Sequence, residues 1–369
     1  MTAMKYVDEF RDSASCEKLV ERIRAAATRP WTLMEVCGGQ THGLLKYGID
    51  RLLEPHIRLI HGPGCPVCVT SLGAIEAAIE LSRRPDVVLT SFGDMLRVPG
   101  RTVSLLQARA DGARVQMVYS PLDAVQLAAK APDRQIVFFA VGFETTIPAT
   151  ALAIAQAQQM GLTNFTTLIA HVRVQPAMEQ LAAAPDVHVD GFLAAGHVCT
   201  VVGFESYEEF VQRFGKPVVV TGFEPTDLLG GILRCVELLE SNTAAVENRY
   251  SRSAQYSGNA AATQLIAEMF EPADMAWRGF GVVRQGGYRL REPYHQFDAR
   301  RRFQLALSDA LDETTPCRGG EVLAGKILPT SCEYFGRECT PESPLGAPMV
   351  SAEGACAAYF RYHGQERRA

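Results

Sequence analysis

The stretch IVFFAVGFETTIPATALAIAQAQQM, residues 136–160, decides the fold. Ile136–Val141 is a continuous apolar run without alternation, the pattern of a strand covered on both faces. Gly142-Phe143-Glu144 follows as a turn, with Thr145-Thr146 after it, and Ile147–Met160 reads as a helix. Strand, turn and helix in that order form one half of a βα unit.

The same unit recurs on both sides. Runs like that of Ile136–Val141 occur at Thr32–Val36, Ile57–Ile60, Val87–Thr90, Val115–Tyr119, Thr166–Ala170, Val189–Ala194 and Val218–Thr221. Helical stretches lie between them, among them Leu72–Ser82, Leu122–Lys130 and Tyr207–Arg213. Such alternation predicts parallel sheets with helices on both faces. The triplet Gly-Phe-Glu returns at Gly203-Phe204-Glu205 and Gly222-Phe223-Glu224, a repeated punctuation that suggests two related halves.

After residue 240 the pattern changes. Asn242–Gly258 is polar, Ala260–Met269 is a short helix, and Gly279–Pro293 is rich in glycine and arginine. Phe297–Leu311 looks helical, and beyond Thr314 glycine, proline and cysteine dominate. The expected fold class is therefore α/β. It has two Rossmann-like parallel-sheet domains, residues 1–120 and 121–241, and a smaller loop-rich C-terminal iron–sulfur domain, residues 242–369.

A length of 369 residues suits two or three domains. With 47% hydrophobic and 21% charged residues the composition is that of a soluble globular protein. A formal net charge of -5 argues against a general nucleic-acid binder. No apolar run is long enough for a membrane span, and the first residues lack a secretory pattern, so a cytoplasmic location is expected. In that compartment ten cysteines point to metal or redox chemistry, because thiols there are kept reduced.

Cys317, Cys332, Cys339 and Cys356 crowd into the C-terminal segment without a close C-x-x-C pair. Structural zinc favours such pairs, whereas a cubane takes ligands from separate loops, so the spacing favours an iron–sulfur cluster over zinc or unrelated buried thiols. Cys65-Pro-Val-Cys68 follows a strand and precedes a helix, the arrangement of a redox dithiol. Half of a zinc site with Cys37, or two packed small residues, are the alternatives. Glu35-Val-Cys37-Gly-Gly-Gln-Thr-His42 places a third thiol at a strand end, a candidate single-metal ligand with His42 beside it or a merely buried cysteine. Cys37 is expected to face a cleft shared with Cys65 and Cys68, its glycines leaving room for a partner or an iron. His171, His197, Glu144 and Glu224 rank lower, and Cys16, Cys199 and Cys235 read as structural.

Taken together, the Cys37 segment, His61-Gly-Pro-Gly-Cys65-Pro-Val-Cys68, Gly142-Phe143-Glu144-Thr145-Thr146, Gly196-His197-Val198 and the four-cysteine C-terminus resemble the HypD family of hydrogenase maturation factors. The chain departs from the family pattern at Gln40, where histidine is expected. The resemblance implies three domains and a 4Fe–4S cluster on Cys317, Cys332, Cys339 and Cys356. It implies an iron held on Cys37 together with a small HypC-type partner, and cyanide and CO ligands assembled on that iron. Cyanide comes from HypE, which HypF loads, and the Cys65–Cys68 pair with the cluster acts as an electron relay. The chain is then a redox-active assembly scaffold for NiFe hydrogenase, not a conventional turnover enzyme. A cluster-dependent thiol–disulfide oxidoreductase and a zinc-binding adaptor are the competing readings.

Overall fold

The computed structural model describes residues 8–305 and 315–363. Among the described residues there are eleven strands: β1 (Trp31–Glu35), β2 (Ile57–His61), β3 (Val87–Ser91), β4 (Val115–Met117), β5 (Gln135–Gly142), β6 (Phe165–His171), β7 (Gly191–Ala195), β8 (Val218–Thr221), β9 (Val246–Asn248), β10 (Phe270–Trp277) and β11 (Gly281–Leu290). The eight apolar runs are all strands. Most are covered on both faces, as in Ile136–Ala140 and Val218–Val220, where every residue is fully buried, whereas β4 exposes Gln116 and Met117.

Two parallel sheets result, with strand orders β2-β1-β7-β8-β9 and β4-β3-β5-β6. The fold is α/β as expected. A boundary at residue 120, however, does not separate the sheets. The four strands of the second sheet lie in the chain between β2 and β7, so the first sheet opens, is interrupted, and resumes. Assigning strands by proximity in sequence fails because β1 pairs with both β2 and β7, in parallel register Leu33 to Gly191 and Glu35 to Leu193. Each sheet has a point where the chain leaves to opposite sides of one strand: β1/β7 in the first and β3/β5 in the second. Ligand crevices of open α/β sheets form outside the strand C-termini at such points.

The segment after residue 240 is more ordered than its composition suggested. β9 joins the edge of the first sheet, and the glycine- and arginine-rich stretch is half of an antiparallel hairpin, β10–β11. The helix expected over Phe297–Leu311 is cut short. Asp298 caps a new turn by accepting from the Arg300 N–H at 2.8 Å, and Gln304 at φ 51 ends it; residues 306–311 lie outside the described residues. No helix among the described residues is long and apolar enough to cross a membrane.

Candidate functional site

Cys37 stands just beyond the end of β1, at the switch point of the first sheet, and begins the helix Gly38–Lys46. Across the crevice, β7 runs into the helix Gly196–Val202, which carries His197. The Cys37 Sγ lies 3.5 Å from His197 Nδ1. Phe223, after β8, tilts over the His197 ring with centroids 5.3 Å apart and lies against Gly39. Cys37 is therefore only 1% exposed, and the expectation of a thiol facing an open cleft is corrected: aromatic rings roof it. Burial raises the thiol pKa; the helical N–H groups of Gln40 and Gly39 oppose that, while Glu35 and Glu353 reinforce it. Burial also lowers His197 to about 4, so a neutral imidazole faces a neutral thiol.

The glycines after Cys37 serve the chain itself. A Cβ on Gly38 would overlap Glu353 of the C-terminal region, and one on Gly64 would overlap the Cys37 backbone. The turn after β2 is thus laid against the turn after β1, with Gly38 N donating to Gly64 O at 3.0 Å and Gly62 N to Glu35 O at 2.7 Å. Beneath it lies a fully buried carboxylate. Glu35 accepts from Cys37 N at 2.8 Å, from Thr41 Oγ1, and from His61 Nδ1 at 2.7 Å. His61 Nε2 in turn reaches the Tyr359 hydroxyl at 3.2 Å. The sequence reading missed this network; a glutamate ending an apolar strand was its one signal.

Two neighbouring positions behave differently from expectation. Gln40 is fully buried, and its Nε2 donates to Ala194 O at 3.0 Å and Thr221 Oγ1 at 2.8 Å, tying the Cys37 helix to the ends of β7 and β8. His42 is not brought to Cys37. It meets Tyr362 edge-on, with its Nε2 3.1 Å from the hydroxyl, and burial with Lys46 and Arg361 lowers its pKa.

Cys65 and Cys68 form a disulfide with α-carbons 5.2 Å apart. Cys65 is the N-cap of the short helix Pro66–Val69, and its sulfur accepts from Cys68 N at 3.2 Å. Both cysteines are buried in the core cluster that contains Cys37.

The four C-terminal cysteines come from four separate loops or helix starts, and Cys332, Cys339 and Cys356 pack against one apolar cluster. The half-buried Cys356 is raised first by desolvation and then by Cys317, Cys339 and Cys332. Leu345 N donates to Cys339 Sγ at 3.5 Å, while the next residue, Gly346, has its α-carbon against Cys317 Sγ. Gly319 N donates to Cys317 Sγ at 3.3 Å. Among the described residues, no three Cys, His, Asp or Glu side chains close on a point as the shell of one ion does. One small cavity is lined by both Cys68 and Cys317, together with Arg278, Gly279 and Gly320.

The lower-ranked residues divide. Glu144, after β5, is buried and raised to about 7 by desolvation, which its own N–H, Arg173 and the Val174 N–H only partly offset. His171 is lowered to about 4 by burial and sits between Thr146 and Thr150. Glu224 caps the helix Pro225–Glu240 and pairs with Arg11. Cys199 and Cys235 are buried, and Cys16 is half-buried.

The HypD family model, described as "Hydrogenase formation hypA family", matches residues 14–363. The "Hydrogenase maturation factor HypD" of Azotobacter vinelandii is 48% identical over 99% of this chain and 98% of its own. The proteins of the same name from Escherichia coli K12 and Rhodobacter capsulatus are each 44% identical, over 99% and 98% of this chain and 100% and 99% of their own. With nearly its whole length matched, the chain belongs to the HypD family of hydrogenase maturation factors.

Proposed function

We propose that this chain is the cytoplasmic scaffold on which the active-site iron of NiFe hydrogenase receives its cyanide and CO ligands. The observation that supports it most is the cavity where Cys68 and Cys317 meet, because it joins the disulfide to the four-cysteine region.

In this reading Cys317, Cys332, Cys339 and Cys356 hold a 4Fe–4S cluster. Three of them pack against one apolar cluster while no three described ligand side chains close on a point, which suits a cubane better than zinc, whose sulfurs lie about 2.3 Å from the metal. The amides of Gly319 and Leu345 already donate to two of the sulfurs, which would tune the potential of a bound cluster. When bound, such a cluster supplies single electrons at low potential.

The remaining steps fall to the chain's own residues. The Cys65–Cys68 bond breaks on taking two electrons and two protons, giving two thiols that can later return the pair. Cys37 offers the transferred ferrous ion a thiolate, and His197 Nδ1, at 3.5 Å, is the nearest acceptor for the proton the thiol must lose. The Glu35–His61–Tyr359 network holds the Cys37 turn while Phe223 excludes water. A small HypC-type partner completes the iron's shell. HypE, loaded by HypF, brings a thiocyanate whose S–C bond breaks on taking two electrons, leaving a thiolate on HypE and cyanide on the iron. A general thiol–disulfide reductase would have no use for the Cys37–His197 pair at a switch point, which favours the scaffold.

Infrared spectroscopy of the anaerobically co-purified complex with its small partner tests the proposal. Cyanide and carbonyl stretches are expected; a complex loaded with iron that lacks them overturns it.

A further inference from the structure

The β10–β11 hairpin reaches the redox elements through its turn. Trp277 bridges to Thr70 in antiparallel fashion, and Arg278 N donates to Val69 O at 2.8 Å, one residue beyond Cys68. On its other side the turn crosses the Cys317 loop backbone to backbone. A Cβ on Gly279, at φ +78, would stand 2.6 Å from the Gly320 α-carbon, and one on Gly320 2.7 Å from Gly279 O. Only glycine permits that crossing. The turn is thus clamped between the disulfide helix and the loop of a cluster cysteine.

The side chain delivered there is a guanidinium. Arg278 is 6% exposed, lines the cavity shared by Cys68 and Cys317, and donates from Nη1 to Pro99 O at 3.2 Å. The nearby Arg318 differs in being more exposed and paired with Glu321 at 2.6 Å, so water and its carboxylate screen it. A buried charge is screened far less, and a cation there favours whichever redox state carries more negative charge.

We propose that Arg278 is a positioning charge that couples the Cys65–Cys68 disulfide to the cluster, stabilising the reduced state of each. This rests on the cluster and disulfide roles assigned above. Electrons enter singly from a low-potential one-electron donor. Two of them, with one proton from water, first cleave the Cys65–Cys68 bond into a thiol and a thiolate, whose charge the guanidinium offsets as it does that of the reduced cluster; a second proton then completes the two thiols.

The test uses full-length, cluster-loaded protein poised anaerobically with dithionite and mediators. The reduced cluster is read by electron paramagnetic resonance, and the Cys65–Cys68 dithiol by alkylation and mass. In R278Q the ratio of reduced to oxidised cluster at a given potential should fall about tenfold, equal to 59 mV for one electron. The dithiol fraction should fall with it. R278K should stay within about twofold of wild type, as should the R318Q control. Should R278Q not load with iron, R278M is read in the same way. Unchanged cluster and dithiol ratios in the loaded neutral variant overturn the proposal. So does an R278K shift as large as that of R278Q, which would make the role one of shape. A wild-type chain without any cluster signal would instead overturn the cluster reading, and is seen before any variant is compared.

Discussion

The Cys37 Sγ and His197 Nδ1 face each other at 3.5 Å across the switch point of the first sheet. Ligand recognition in open α/β sheets concentrates at such crevices. Cys37→Ala should therefore leave the fold and the C-terminal iron content intact while abolishing the iron–cyanide infrared bands of the complex. Bands of undiminished strength in this variant would remove Cys37 from the mechanism.

Phe223 and His197 roof that thiol. Phe223→Ala should raise the rate of Cys37 alkylation in the folded protein about tenfold, because access and not intrinsic reactivity limits a buried thiol. Peptide mapping after iodoacetamide pulses would follow it, with half-buried Cys16 as internal reference. Equal labelling of Cys37 in variant and wild type would mean that the ring is not the barrier.

Alanine at Cys317, Cys332, Cys339 or Cys356 should bleach the brown colour of anaerobically purified protein and cost most of its roughly four cluster irons. Retention of full iron and colour in any one variant would exclude that residue as a ligand. Chelation of the iron should destabilise the C-terminal region, whose loops the proposed cluster would cross-link.

Serine at Cys65 or Cys68 should leave the colour unchanged and stop maturation. Thiol counting in denaturant separates the states: oxidised wild type should release two more thiols on reduction than either variant. Loss of the cluster in the serine variants would show that the pair is structural.

Glu144 gives a pH dependence with a definite sign. Its folded pKa of about 7 lies above the unfolded value of roughly 4.3, so the folded state binds the proton more tightly. The stability it contributes is complete below about pH 4 and is lost as pH rises towards 7. Glu144→Gln should be stabilising by about 1 kcal/mol at pH 5 and by about 4 kcal/mol at most at pH 8, a few degrees in Tm. Melting curves that differ equally at both pH values would place the ionisation elsewhere.

The central strands were legible because both faces of each are buried, which writes an unbroken apolar run such as Ile136–Val141 into the chain. The C-x-x-C geometry was legible because spacing and the strand before it constrain a disulfide. The topology was not: nothing local in Thr32–Val36 says that it pairs with residues beyond 190. The β10–β11 hairpin was hidden by its half-exposed surface, where Glu271, Asp274, Arg284 and Arg289 break any apolar pattern. His197 read as an ordinary core histidine because its partner, Cys37, follows the neighbouring strand but lies 160 residues away in the chain. Arg278 gave no signal, since its burial depends on a glycine–glycine crossing formed only in three dimensions.

The interruption of the first sheet also sets an order of birth. Between the end of β2 and the start of β7 lie roughly 130 residues, which a ribosome adding about 5–20 residues per second makes in roughly 6–26 s. For that interval Cys37, Cys65 and Cys68 exist, while the strand that completes their wall does not. The inserted sheet has all its strands before the first sheet can close. The Cys37 thiol is thus made open and roofed later, when His197 and Phe223 arrive.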